Sequence, residues 1–302
     1  DLRMSRGLGD VYKRQGYKLL QKSLDTHDRE EDNFYLRAII SLSSYFNYDN
    51  NIAIVISLLA LHEEMKKYDI KYRLKVCEYN ESFISMFFES SKAKELQNIG
   101  YSAFSNCSRL TSINIPNGIT EIRDNCFSGC SSLSNIDIPL SVTSIGISAF
   151  SDCAGLTSVT VPDTVTFLGD FTFSGCTGLI SASLPEGITE INGTFSGCTS
   201  LTDFIIPKTV TSISEAFEGC AFKNIEIPNA ITKIGKNSFK NCTALENIKI
   251  PDSVTEINVY AFSNCVSLKH IDMPKYLPKI DYYVFLSCRS LKDIVIPVSY
   301  TH

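Results

Sequence analysis

The sequence predicts an α+β repeat fold, in which a solenoid with a short parallel β-sheet follows a small α-helical segment. A phrase of 21 to 23 residues recurs through residues 94–297, whereas residues 16–93 have a different composition. A period of about 20 to 50 residues is typical of arrays in which each unit packs on its neighbours. The chain is therefore expected to be elongated rather than built around one globular core.

Three residue types fix the register of the repeat. In each repeat, one phenylalanine is followed three residues later by a cysteine, and a proline comes nine residues after that cysteine. One repeat departs from this spacing, because Cys220 and Pro228 are one residue closer together. The pattern predicts about nine coils, marked by Phe104, Phe127, Phe150, Phe173, Phe195, Phe217, Phe239, Phe262 and Phe285.

Two apolar phrases alternate within each repeat. The phrase Leu-x-x-Ile-x-Ile-Pro has a period of two, which predicts a short strand with one buried face that ends at the proline. The phrase Val-Thr-x-Ile is β-branched and predicts extended chain. Stacked coils are expected to form one parallel sheet about 40 Å long.

The phrase Ala-Phe-x-x-Cys predicts a tight turn or a single helical turn. It is expected to place Phe150 and Cys153 in the interior, opposite a sheet whose inner face carries Leu156, Val159 and Val161. Ser158 and Thr160 should then be exposed. Chain reversal is predicted where glycine can adopt a positive φ, at Gly129, Gly175, Gly197 and Gly219.

Residues 16–93 are rich in lysine, glutamate, leucine and tyrosine and predict an α-helical segment. Because this segment runs directly into the first coil, we expect it to serve as an N-terminal cap that shields apolar positions. Residues 1–15 and 298–302 resemble translated sequencing-adapter sequence, and we interpret both as non-native tails.

Nine of the eleven cysteines occupy one repeat position, and no C-x-x-C pair of the kind that binds zinc is present. A disulfide between adjacent coils would need thiols that face each other. Free cysteine packs as a small hydrophobic side chain. We therefore predict a buried, reduced cysteine ladder, with Cys126 also in the core.

The full repeat, Ile-Pro-x-x-Val-Thr-x-Ile-x-x-x-Ala-Phe-x-x-Cys-x-x-Leu-x-x-Ile-x-Ile-Pro, resembles the BspA-like, or Treponema-type, leucine-rich repeat over residues 94–297. The resemblance implies a leucine-rich-repeat solenoid that acts as a non-enzymatic scaffold. Several such proteins are surface proteins that adhere to host matrix or other microbes, which implies protein or glycan recognition. The alternative is an intracellular protein-protein interaction scaffold with the helical segment as a second module.

The sequence is compatible with more than one cellular location. The resemblance favours a cell-surface or secreted protein, whereas the sequence shows no secretory signal, which fits a cytoplasmic one. The longest apolar run, from Ile52 to Leu61, has about half the length needed to span a bilayer. Basic residues are scattered, which argues against a nucleic-acid partner.

The sequence offers no pattern typical of an active site or a cofactor. The four histidines, His27, His62, His270 and His302, lack a nearby nucleophile or second histidine. Acidic residues are spread along the coils, and the glycines fall at turns rather than in a phosphate-binding loop. We expect no enzymatic activity, no cofactor and no metal site.

Four sequons for N-glycosylation occur, at Asn80, Asn106, Asn192 and Asn241. They would accept glycans only in a eukaryotic secretory pathway. Asparagine is also a frequent turn residue, because its side chain hydrogen-bonds to nearby backbone. We favour the turn interpretation.

The outward positions of the Leu-x-x-Ile-x-Ile-Pro strands vary from coil to coil, as a contact surface permits. Early coils carry small hydroxyl residues there and later coils carry charged ones, and the alternative is a face that is only solvated. We predict that a ligand binds the later coils at Asp203, Ile205, Asn224, Glu226, Asn247, Lys249, His270 and Asp272.

Overall fold

The computed structural model describes residues 98–292 and 294. The predicted helical segment, its capping role and both predicted tails lie outside these residues. Within the described part, the chain forms a solenoid of short strands and turns, and every strand pair is parallel. The predicted repeat solenoid is confirmed.

The strands form two rows along the solenoid. The Val-Thr row comes from the Val-Thr-x-Ile phrase, and its strands are β1 (Asn98–Ile99), β2 (Glu121–Ile122), β3 (Ser144–Ile145), β5 (Phe167–Leu168), β7 (Glu190–Asn192), β9 (Ser212–Ser214), β11 (Lys233–Ile234), β13 (Glu256–Ile257) and β15 (Lys279–Ile280). The Ile-Pro row comes from the Leu-x-x-Ile-x-Ile-Pro phrase, and its strands are β4 (Ser158–Thr160), β6 (Ser181–Ser183), β8 (Asp203–Phe204), β10 (Asn224–Glu226), β12 (Asn247–Lys249) and β14 (His270–Asp272).

The expectation of a single sheet is wrong. Both apolar phrases are extended, and each one pairs with its equivalent in the neighbouring coil, so two rows form. Each row is also interrupted. The Val-Thr row consists of the sheets β1-β2-β3-β5 and β7-β9-β11-β13-β15, and the Ile-Pro row consists of β4-β6-β8 and β10-β12-β14.

A turn centred on each repeat phenylalanine connects the Val-Thr strand of a coil to its Ile-Pro segment. The residues two before and two after the phenylalanine have positive φ, for example 52° at Ser148 and 59° at Asp152 around Phe150. The Phe150 N–H donates to Thr172 O in the next coil at 2.9 Å, and the Ser151 N–H donates to Ser148 O in the same turn at 3.1 Å. The predicted tight turn therefore also links coils.

Small and polar residues suit the second of these positive-φ positions. Gly129, Gly175, Gly197 and Gly219 occupy it with φ between 73° and 78°, which confirms the predicted chain reversals. The sequon residues Asn106 and Asn241 take the same position with φ of 60° and 61°. Asn192 lies in β7, and Asn80 is outside the described residues.

The core is a continuous column of repeated side chains. Rings of consecutive repeat phenylalanines stack nearly parallel, with centroids 5.2 Å apart for Phe104 and Phe127 and 6.2 Å apart for Phe195 and Phe217. In the coil after Phe150, the residues Leu156, Val159 and Val161 are buried, whereas Ser158 and Thr160 are exposed. The predicted inner and outer faces are confirmed.

The cysteine column lies beside the phenylalanine column. The described repeat cysteines from Cys107 to Cys265 and Cys126 are buried and free, and Cys288 is partly exposed. Each thiol from Cys130 onward donates to the carbonyl of a phenylalanine 25 or 26 residues earlier, as in Cys153 Sγ to Phe127 O at 3.2 Å. The predicted core ladder of cysteines is confirmed, and the thiols also satisfy buried carbonyl groups.

Polar side chains add further links between coils. The Ser141 hydroxyl donates to Ile119 O at 2.6 Å, and the Thr164 hydroxyl donates to Val142 O at 2.8 Å. The described ion pairs between coils all lie between Glu215 and Lys279. The later coils therefore carry a charged surface whose pairing is set by the repeat.

We expect Phe150→Ala to lower the free energy of unfolding by about 3 to 5 kcal/mol, because it removes one buried ring from a continuous stack. Phe167→Ala is the matched control, since Phe167 is 55% exposed, and should change stability by less than about 0.5 kcal/mol. Urea unfolding followed by circular dichroism measures both. Equal losses for the two variants would contradict the importance of the stack.

Burial raises the pKa of the Cys176 and Cys242 thiols from 9.0 to about 12. The native state therefore holds these protons more tightly than the unfolded chain. Their contribution to stability is complete below about pH 9 and is lost as the pH rises towards about 12. Urea unfolding across this range should show the decline.

Alkaline unfolding has other contributors, including lysine and tyrosine ionisation, so a variant isolates the thiols. The double variant Cys176→Ala, Cys242→Ala should lose stability less steeply between pH 9 and pH 12 than the wild type. The double variant is expected to be less stable than the wild type at neutral pH. This does not affect the test, because only the slope of the unfolding free energy against pH is compared. Identical slopes would show that the thiols do not drive the decline.

Candidate functional site

The candidate ligand-binding face lies on strands β10, β12 and β14. Their central residues, Ile225, Ile248 and Ile271, are buried, and the residue on each side of them is exposed. The strands pair without a register shift, so equivalent side chains form straight columns along the solenoid. One column is Asn224, Asn247 and His270, and the other is Glu226, Lys249 and Asp272.

A shallow groove of about 790 Å³ opens at the end of these strands. Glu226, Lys249, His270 and Asp272 line it together with Met273. Such a volume is within the range of about 300–1,000 Å³ that is usual for ligand sites. The structure thus brings four of the predicted residues to one concave surface, with Asn224 and Asn247 beside it.

Asp203 and Ile205 lie apart from this group. Asp203 belongs to β8, which is in a different sheet from β10, and Ile205 follows the end of β8 with 82% of its surface exposed. Neither residue lines the groove. The candidate site is therefore centred on β10, β12 and β14 rather than on the whole predicted stretch.

Hydrogen bonds already engage several polar groups of the face. His270 Nε2 and Asp272 Oδ1 are 2.8 Å apart, and Asn247 Nδ2 donates to Asn224 Oδ1 at 3.3 Å. Glu226 and Lys249 are register partners, yet neither has an ion-pair partner within 4.0 Å among the described residues. Lys249 lies between Glu226 and Asp272 in its column, so the charges alternate in sign while no direct ion pair engages Glu226 or Lys249.

Three further residues line the groove that the outward strand positions did not indicate. Asn229, Asp252 and Lys275 each follow the proline of their coil and form the far wall of the groove. Lys275 Nζ lies 3.3 Å from Asp252 Oδ2, and the Lys275 N–H donates to Asp252 Oδ1 at 2.9 Å. The variation at the position after proline was the signal that could have identified them.

These contacts hold the pKa of Asp252 below its ordinary value of 3.8, chiefly through the hydrogen bond from the Lys275 backbone and then through the Lys275 side chain. The Asp252 carboxylate thus stays charged and fixed to the neighbouring coil. Both groups belong to exposed side chains. The pair gives the rim of the groove a defined shape.

The described part of the chain contains no group of three or more histidine, cysteine or acidic side chains placed to hold a metal ion. Nor do residues 98–292 and 294 include a helix with the length and apolar character of a membrane span. The polar side chains of the groove can form hydrogen bonds and ion pairs with a ligand, and isoleucine and proline residues supply an apolar part of the lining.

The paired rows, the buried leucine and isoleucine positions and the exposed variable face define a leucine-rich-repeat solenoid. The family described as "BspA type Leucine rich repeat region" matches residues 97–216 and 214–302 in 6 copies. The chain belongs to this family, which confirms the resemblance found in the sequence. Proteins of this class are repeat scaffolds.

Several solved bacterial structures are similar to this chain. A leucine-rich repeat protein from Bacteroides ovatus is 28% identical with a TM-score of 0.48, and the match covers 68% of this chain and 65% of that protein. A leucine rich cell surface protein from Faecalibacterium prausnitzii is 31% identical with a TM-score of 0.49, covering 67% of this chain and 71% of that one.

A leucine rich repeat protein from T. pallidum is 27% identical with a TM-score of 0.48, and the match covers 58% of this chain and 78% of that protein. No curated protein matches the chain. The match to the Bacteroides ovatus protein covers 65% of that protein, so this chain spans about two thirds of its length.

We expect Lys275→Ala to raise the pKa of Asp252 only part of the way to 3.8. The variant removes the ammonium group but keeps the backbone N–H, which is the larger cause of the lowered pKa. Titration of the Asp252 carboxyl carbon by NMR measures both proteins. A full return to 3.8 would show that the side chain alone fixes this wall of the groove.

Proposed function

We propose that this protein is a non-enzymatic binding scaffold that recognises a protein or a glycan through the groove on β10, β12 and β14. One observation carries the proposal: Glu226, Lys249 and Asp272 alternate in charge along one column of a concave surface, and neither Glu226 nor Lys249 forms a direct ion pair among the described residues. A ligand that carries charged groups of the opposite order would form direct ion pairs with these side chains.

The backbone under the groove supports this role. Backbone hydrogen bonds join the three parallel strands to one another, and the buried isoleucines of these strands pack in the core. The outward side chains are therefore presented at a fixed spacing. A preformed surface loses little conformational entropy on binding. The variable residues can therefore change to suit a ligand without disturbing the core.

The lining favours a protein segment over a glycan within this proposal. Charged groups of both signs stand beside the apolar side chains of Met273, Ile250 and Ile271. Complementary charges give specificity to protein contacts, and methionine adapts to apolar partners. An adhesive role at the cell surface belongs to the same proposal, in line with the description of the Faecalibacterium prausnitzii protein as a cell surface protein.

The test starts from a ligand chosen by the wild-type protein from a phage-displayed random peptide library or from a printed glycan array. Combined replacement of Glu226, Lys249, His270 and Asp272 by alanine should weaken binding at least about tenfold, since each lost ion pair or hydrogen bond removes up to about 1.5 kcal/mol. Thermal unfolding should shift little, because all four side chains are exposed.

The matched control replaces Ser158, Thr160, Ser181 and Ser183 by alanine on the equivalent positions of β4 and β6. The control should bind the chosen ligand as the wild type does. Equal binding by the groove variant and the control would refute the proposal. A library and an array that both yield no ligand would count against it as well.

A further inference from the structure

Two asparagines of the chain, Asn117 and Asn192, are followed directly by glycine. Asparagine is among the thermolabile residues of proteins. In an Asn-Gly pair, the glycine backbone nitrogen can attack the side-chain amide carbon of the asparagine, because glycine has no side chain that shields the nitrogen. The attack requires close approach of the two atoms, so it depends on the freedom of the backbone around the pair.

The first pair, Asn117-Gly118, lies in a turn on the surface. The Ile119 N–H donates to Pro116 O at 3.0 Å and closes this turn. Asn117 is exposed and Gly118 is partly exposed. Among the described residues, the Gly118 N–H has no hydrogen-bond acceptor. The nitrogen that would attack is therefore not engaged in another contact.

The same turn is tied more firmly in other coils. In four of them, the residue equivalent to Gly118 carries a hydroxyl that donates to a carbonyl of the preceding coil; these residues are Ser141, Thr164, Thr209 and Ser253. Gly118 has no hydroxyl, so its turn lacks this link. The backbone of the first pair is thus less restrained than that of the equivalent residues in these coils.

The second pair, Asn192-Gly193, is held on both sides. Asn192 is the last residue of β7, and its carbonyl accepts the Phe171 N–H at 2.9 Å. The Gly193 N–H donates to Ser214 O in the next coil at 2.8 Å. Movement of the Gly193 nitrogen onto the amide carbon would break these bonds between coils. The fold therefore protects Asn192.

We propose that Asn117 is a site of spontaneous deamidation that yields mainly isoaspartate. The Gly118 nitrogen bonds to Asn117 Cγ and gives its proton to water, while the bond from Cγ to Nδ2 breaks and ammonia leaves. The product is a succinimide ring. Water then opens the ring, which gives aspartate if the bond from Cγ to nitrogen breaks and isoaspartate if the bond from the backbone carbonyl to nitrogen breaks. No oxidation or reduction occurs.

The modification changes both charge and chain length. Either product adds a negative charge to the turn. Isoaspartate also inserts a methylene group into the backbone between Pro116 and Ile119, which are both buried. The turn bond between these two residues then has to span a longer chain. The reaction needs no ligand, so its outcome is independent of the groove on β10, β12 and β14.

The experiment incubates the folded full chain at neutral pH and physiological temperature and follows each asparagine by peptide mapping with mass spectrometry. Asn229 is the natural matched control. It is exposed, follows Pro228 and lies in a turn closed by Ile231 N–H to Pro228 O at 3.1 Å, but it precedes Ala230. Asn117 should convert at least about tenfold faster than Asn229, a difference of about 1.4 kcal/mol in activation free energy.

Two exchanges at the turn make the test reciprocal. Gly118→Ala should slow Asn117 to the rate of Asn229, and Ala230→Gly should bring Asn229 to the rate of Asn117. Alanine already occupies this turn position in the coil of Asn229, so the first variant is expected to fold. In the folded wild type, Asn192 should convert more slowly than Asn117. In concentrated urea the two should convert at similar rates.

The proposal is overturned if Asn117 and Asn229 convert at the same rate in the folded wild type, or if Gly118→Ala leaves the rate at Asn117 unchanged. Fragmentation of the converted peptide separates isoaspartate from aspartate. Formation of aspartate alone would indicate direct hydrolysis of the side chain and would also overturn the proposal. Equal conversion of Asn117 and Asn192 in the folded chain would show that the fold does not select the site.

Discussion

The contact between consecutive phenylalanine turns is the constraint on which the structure depends. The N–H of each repeat phenylalanine from Phe104 to Phe262 donates to the next coil, while its ring stacks on the next ring. A single coil offers neither partner, and ordering about 22 residues alone would cost more than its few apolar side chains return. Neighbouring coils therefore have to form together.

This constraint divides the residues of a coil into two groups. Each repeat phenylalanine between Phe127 and Phe262 stacks on a ring in both neighbouring coils, and Ile248 is paired with Ile225 and Ile271, so a change at such a position affects two interfaces. The outward residues of β10, β12 and β14 contact at most side chains on the same face. The groove can therefore differ in chemistry from the early coils while the backbone beneath it stays the same.

Much of this could be predicted from the sequence, because a repeated position has a repeated environment. The burial of Phe150, Cys153 and Val159 follows from the period alone. The second row of strands could not be predicted, since a two-residue strand such as β3 exists only through pairing with its neighbours. The wall formed by Asp252 and Lys275 was missed for a related reason, because their contact joins residues 23 positions apart.

The short coil after Cys220 affects where along the solenoid a ligand can bind. On a strictly repeating solenoid, a ligand that fits one coil would fit any other with similar side chains, and its position along the axis would be undefined. Within the Ile-Pro row, the loss of one residue between Cys220 and Pro228 interrupts this translational symmetry, and the row is divided there between β8 and β10. It gives the array an origin from which the charged strands beyond it can be counted.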